Sequence, residues 1–108
     1  MNIIFGRENA EKLREKYTVL DLEKLVVEGK EVEVFCLIPA EKIALPDLPQ
    51  LENWVKLHHD FLNGYNTKQF DYCRQCIDYL MGKFGGEADS FYEEILKRID
   101  ASEAVKSD

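Results

Sequence analysis

The spacing of hydrophobic residues in the second half of the chain predicts three amphipathic helices. Apolar side chains recur there every three or four residues, the period of a helix with one buried face. The three apolar stripes cover residues 51–65, 70–84 and 88–99. Asn63-Gly64 and Gly85-Gly86 lie at the ends of the first two stripes. We therefore predict three packed antiparallel helices, the first ending at Asn63-Gly64 and the second at Gly85-Gly86.

The first half has the pattern of a small antiparallel sheet. Apolar and charged residues alternate within residues 18–27 and 31–38, and Glu28-Gly29 lies between the two runs. Two such runs joined by a two-residue turn ending in glycine are typical of a tight hairpin. The apolar run at residues 2–5 predicts a third strand, and the narrow apolar stripe of residues 7–16 predicts a surface helix.

These elements predict one α+β domain covering residues 1–108. Residues 1–46 form its strand–helix–hairpin part and residues 47–100 its three-helix part. Three prolines, Pro39, Pro46 and Pro49, bracket the connector between the two parts. After Asp100 the sequence loses its apolar face, so we expect residues 101–108 to form a frayed tail.

Charge narrows the choice of partners. The chain has 14 basic and 21 acidic side chains, a net charge of −7. An acidic surface repels phosphate backbones, so we expect no nucleic-acid partner. No apolar run approaches the roughly 20 residues of a membrane span, so we expect no membrane partner. The first residues lack the features of a secretory signal, and a cytoplasmic location is the default expectation.

The three cysteines, Cys36, Cys73 and Cys76, predict free thiols rather than a disulfide framework. Cys73 and Cys76 have the C-x-x-C spacing, but they lie inside a predicted helix, and a second such pair is absent. The two histidines, His58 and His59, are adjacent and would point about 100° apart on a helix. We therefore expect no metal and no cofactor.

His58 lies near the centre of the first apolar stripe, so its imidazole needs a hydrogen-bond partner. The interpretation we favour is a neutral core histidine bonded to a backbone carbonyl or a tyrosine. The alternative is a ligand pocket formed by His58, Tyr65 and Cys73.

A second flank on the middle helix carries Tyr72, Cys76 and Tyr79. Burial between two neighbouring helices explains these residues most simply. The alternative is an exposed patch that contacts a partner protein. The sequence has no G-x-S-x-G motif and no phosphate-binding loop, and we expect no catalytic residues and no enzymatic activity.

Several short segments resemble small uncharacterised proteins of T4-like phages of marine bacteria. The segments are Leu-Arg-Glu-Lys-Tyr-Thr-Val-Leu (13–20), Phe-Cys-Leu-Ile-Pro (35–39), Leu57-His58, Gly-Gly-Glu-Ala-Asp-Ser-Phe-Tyr (85–92) and Lys-Arg-Ile (97–99). The resemblance implies an accessory protein in the host cytoplasm. It implies no catalytic residue, because that group has no assigned activity.

The leading hypothesis is therefore a small non-catalytic interaction or regulatory module that modulates a host protein. The alternative is a small-molecule-binding protein or minor enzyme with a pocket near His58, Cys73 and Tyr65. A third hypothesis is self-association through the aromatic flank or the edge of the sheet.

Overall fold

Over residues 2–106 the fold is α+β, as predicted: a three-stranded antiparallel sheet with four helices. A computed structural model describes the backbone of residues 2–106 and the side chains of residues 2–104. The strands and helices, in chain order, are β1 (Asn2–Phe5), α1 (Arg7–Leu13), β2 (Tyr17–Val27), β3 (Lys30–Pro39), α2 (Leu51–Asn66), α3 (Phe70–Leu80) and α4 (Asp89–Lys106). Short 3₁₀ segments at Ala40–Lys42, Leu45–Gln50 and Phe84–Gly86 connect the later elements.

The strand order is β1-β3-β2, so β3 is the central strand and the predicted third strand joins the sheet. The hairpin prediction is confirmed: Val27 pairs with Lys30 across the two-residue turn. Both turn residues have positive φ, 52° at Glu28 and 78° at Gly29, as a type I′ turn requires.

A β-bulge at Leu22 changes which residues of β2 point to each face of the sheet. Asp21 pairs with Phe35, but Glu23 pairs with Val34, so one extra residue lies between the two pairs. Before the bulge the even-numbered residues of β2 share a face with Cys36, and after it the odd-numbered residues share that face with Val34.

The sheet lies between two helical layers. Helix α1 covers one face through Ala10, which packs with Val19 and Phe35. Helices α2, α3 and α4 cover the other face and form the larger core. The largest fully buried apolar side chains of that core are Tyr92, Phe61, Phe84, Leu20, Ile38, Ile77, Leu80, Ile95 and Ile99.

Two predicted helix ends are wrong, and both involve glycine. Helix α2 continues through Gly64 to Asn66, and Gly64 is buried. A Cβ at Gly64 would lie 3.0 Å from Cδ2 of Tyr72, so this glycine permits close packing with α3 instead of ending a helix. Helix α3 ends at Leu80, before Gly85-Gly86, because Met81 has an extended ψ of 130° and Gly82 a φ of 83°.

Helix α4 continues past Asp100 to Lys106 in the described residues, and the fraying expected there stays a prediction. Arg74 on α3 bonds to the last turns of this helix. Its guanidinium donates to Asp100 at 3.0 Å and to Glu103 at 2.8 Å. The predicted tail residues 107 and 108 lie outside the described residues.

Candidate functional site

His58 connects three elements from the centre of the core. Its Nε2–H donates to the carbonyl oxygen of Asp21 on β2 at 2.6 Å. Its Nδ1 accepts a hydrogen bond from the hydroxyl of Tyr92 on α4 at 2.9 Å. A carbonyl can only accept, so these two bonds define the neutral Nε2–H tautomer. Both ring nitrogens are occupied, as the structural interpretation of the sequence predicts.

The surroundings of His58 disfavour its charged form. The imidazole is fully buried, and the rings of Phe61 and Tyr92 each lie 5.7 Å away, centroid to centroid. Burial lowers the pKa of His58 from its ordinary value of 6.5 to about 4. His58 is therefore neutral at physiological pH and helps to position α2 and α4 on the sheet.

The three cysteines are free and buried. Burial raises the pKa of Cys36 and of Cys73 to about 11 and also raises the pKa of Cys76. Such thiols are protonated and react slowly. Among the described residues, no group of three or more His, Cys, Asp or Glu side chains is arranged to hold a metal ion.

The predicted pocket residues do not form one open site. His58 and Cys73 have no exposed surface, and Tyr65 alone of the three borders an open groove. The three residues predicted to contact a partner, Tyr72, Cys76 and Tyr79, are also not all exposed. Tyr72 is 39% exposed and Tyr79 is 53% exposed, whereas Cys76 is buried. Two tyrosines are thus available at the surface of α3 without the cysteine between them.

A groove of about 750 Å³ lies between the sheet and the helices. We call it the sheet–helix groove. Its lining residues lie on α1, on the strands β2 and β3, and on α2 and α4. They are Arg7, Asp21, Leu22, Glu23, Lys24, Leu25, Glu33, Val34, Phe35, Leu62, Tyr65, Asn66, Phe91, Ile95 and Arg98. Its apolar lining combines aliphatic and aromatic side chains, a composition typical of binding sites.

The two arginines of the groove are already paired with carboxylates. Arg7 Nη2 lies 2.6 Å from Glu33 Oε2 and 3.2 Å from Asp21 Oδ2. Arg98 Nη1 lies 2.8 Å from Glu23 Oε2. The lining holds three basic and three acidic side chains, so it is neutral in a chain of net charge −7. It therefore presents apolar surface without a free anion-binding arginine.

Sequence reasoning did not identify this groove. Arg98 and Glu23 are 75 positions apart, and Arg7 and Glu33 are 26 apart. The signal in the sequence was weak, because each arginine lies among other charged residues on an exposed face. Only the three-dimensional arrangement of α1, β2, β3 and α4 brings these side chains to one surface.

Comparison with family models, curated proteins and solved structures gives no match for this chain. Among the described residues, no helix is both long enough and apolar enough to cross a lipid bilayer.

Proposed function

We propose that this protein is a non-catalytic interaction module that binds an apolar segment of another protein in the sheet–helix groove. The observation that carries the proposal is the groove itself, with its apolar walls and its arginines paired to carboxylates. A neutral groove favours a partner segment that is rich in apolar side chains and carries little net charge. With the phage resemblance, the proposed partner is a protein of the host cytoplasm.

The chemistry around the groove supports binding more than catalysis. Catalytic groups act as acids, bases or nucleophiles with perturbed pKa values in a cleft. The one histidine with a lowered pKa, His58, is fully buried and bonded at both nitrogens. The thiols of Cys36 and Cys73 are also buried and have raised pKa values.

The proposal is tested by affinity capture from a cell lysate with three forms of the chain. Leu62→Arg places a charge in the groove, whereas Leu45→Arg places the same charge at a side chain that is 80% exposed and does not line it. We expect a protein to be retained by the wild-type chain and the Leu45→Arg control and lost from Leu62→Arg. Equal retention by all three forms would contradict the proposal.

The volume of the groove supports a second candidate function, the binding of a small molecule. About 750 Å³ lies within the usual range for ligand pockets. A thermal-shift screen tests it: a compound that raises the melting temperature of the wild-type chain but not of Leu62→Trp, which places a bulkier side chain in the groove, would favour this candidate. No such compound in a broad screen would leave the protein partner as the better proposal.

A further inference from the structure

The outer edge of β2 is covered by α2 before the bulge and, within residues 2–106, has no strand partner after it. At Asp21 the edge is covered, because the carbonyl oxygen of Asp21 accepts the hydrogen bond from His58 on α2. Beyond the bulge, no other strand of the described residues pairs with this edge. Three apolar side chains are exposed there: Leu25 at 40%, Val26 at 76% and Val27 at 50%. An exposed apolar strand edge is a surface on which another strand can add.

The sequence of this edge is complementary to itself. Residues 24–28 read Lys-Leu-Val-Val-Glu. When two copies run antiparallel with Val26 opposite Val26, each Leu25 faces a Val27, and each Lys24 comes next to Glu28, the first turn residue after β2 of the other copy. We infer that two copies of this chain pair through the outer edges of β2, antiparallel and centred on Val26, to give a six-stranded sheet.

The backbone of the hairpin supports this register. Val27 and Lys30 flank a two-residue type I′ turn and form its closing hydrogen-bonded pair. Because backbone groups alternate along a strand, the N–H and C=O of Val26 point to the free edge. The two Val26 residues can then exchange both hydrogen bonds at the centre of the new ladder.

The side chains support it as well. Leu25 pairs with Val32 and Val27 with Lys30, so both lie on the face of the sheet on which α2, α3 and α4 pack. In the paired sheet, the two Leu25 and two Val27 side chains meet on that face. Val26 lies on the opposite face, where it meets its counterpart. Cross-strand contacts of this kind stabilise antiparallel pairs.

Neighbouring registers are less favourable. Centring on Lys24 would place two lysines opposite each other. Centring on Leu25 would place Gly29 of the second copy opposite Asp21, where α2 covers the edge. With Val26 at the centre, that glycine faces Glu23, beyond the covered part. The segment 24–28 has one positive and one negative side chain, so pairing adds no net repulsion in this acidic chain.

The inference goes beyond the proposed function and is tested by charge exchange. Sedimentation velocity at about 10 μM and about 1 mM measures the oligomeric state. Lys24→Glu alone, or Glu28→Lys alone, places like charges opposite each other at both ends of the pairing. We expect each single variant to dimerise about tenfold more weakly than the wild-type chain. An equimolar mixture of the two variants restores opposite charges, so it should form the heterodimer.

Lys30→Glu is the matched control, because it makes the same change in net charge on β3, one strand away from the edge. It should leave the dimer affinity near that of the wild-type chain, and far-ultraviolet circular dichroism checks that all variants are folded. A wild-type chain that is monomeric at both concentrations would overturn the inference. A dimer that is insensitive to the single variants, or a mixture no stronger than its components, would also overturn it. Lys24 and Leu25 also line the sheet–helix groove, but Leu62 lies on α2, so the Leu62→Arg capture still tests the groove separately.

Discussion

The hydroxyl of Tyr92 lies 2.9 Å from Nδ1 of His58, and both side chains are completely buried. With the bond from Nε2 to Asp21, this contact joins α4 to α2 and α2 to the sheet. A polar network of this kind stabilises the fold only while each group keeps its partner.

Acidification should destabilise the protein between pH 6.5 and pH 4. The pKa of His58 is lowered from 6.5 to about 4 in the folded state, so the unfolded chain binds a proton first as the pH falls. The free energy of unfolding is therefore highest above pH 6.5 and decreases by about 3 kcal/mol by pH 4 because of this group. Urea unfolding across this range measures the loss.

An NMR titration of the imidazole Cε1 proton provides the direct check on His58. We expect no transition of the folded His58 until the pH approaches 4. A transition of the folded protein near pH 6.5, assigned to His58, would contradict this explanation.

Tyr92→Phe should destabilise the fold although the ring is retained. The substitution removes the hydroxyl that donates to His58 and leaves the buried Nδ1 without its partner. An unsatisfied buried acceptor costs about 1–3 kcal/mol. Chemical denaturation measures the change, with Tyr79→Phe as the control because Tyr79 is 53% exposed. Equal effects of the two substitutions would show that the buried bond contributes little.

Gly85→Ala should be more destabilising than Gly82→Ala. Both glycines have positive φ, 64° and 83°. A Cβ at Gly85 would overlap the carbonyl oxygen of Lys42, whereas a Cβ at Gly82 would meet nothing within 4 Å. We expect about 1 kcal/mol for the backbone conformation at either site and about 1–3 kcal/mol more at Gly85 for the overlap. Thermal unfolding of the two variants compares them directly, and similar melting temperatures would argue against the tight contact.

Arg74→Gln should loosen the end of α4 without unfolding the protein. The substitution removes the bonds from the guanidinium to Asp100 and Glu103. We expect faster amide hydrogen exchange in residues 100–106 and little change elsewhere. Arg14→Gln is the control, since Arg14 pairs with Glu11 next to α1. Unchanged exchange at residues 100–106 would show that other contacts hold this end.

The sequence was sufficient to predict the hairpin, because its information is local. Alternation on both sides of Glu28-Gly29 sets the two strands, and a type I′ turn needs positive φ at both turn residues. The partners of His58 were also foreseeable in kind, because a buried imidazole must be bonded to something. Which carbonyl and which tyrosine supply those bonds depends on packing between distant elements.

The errors arose where a residue has two possible uses. Gly64 was interpreted as a helix end, but its missing side chain provides room for Tyr72. Gly85 was likewise expected to end α3, but it lies beyond the end of that helix, where its missing side chain leaves room for the carbonyl oxygen of Lys42. The sheet–helix groove was not foreseen for a different reason, because its arginines and their carboxylates are far apart in sequence.

The extra residue at Leu22 determines which side chains of residues 23–27 lie on each face of the sheet. Because the pairing shifts there, Leu25 and Val27 lie on the face that packs against α2, α3 and α4, and Lys24 lies on the opposite face. In a regular ladder that kept Leu22 and paired it with Val34, the same sequence would present Lys24 toward α2, α3 and α4 and both aliphatic side chains away from them.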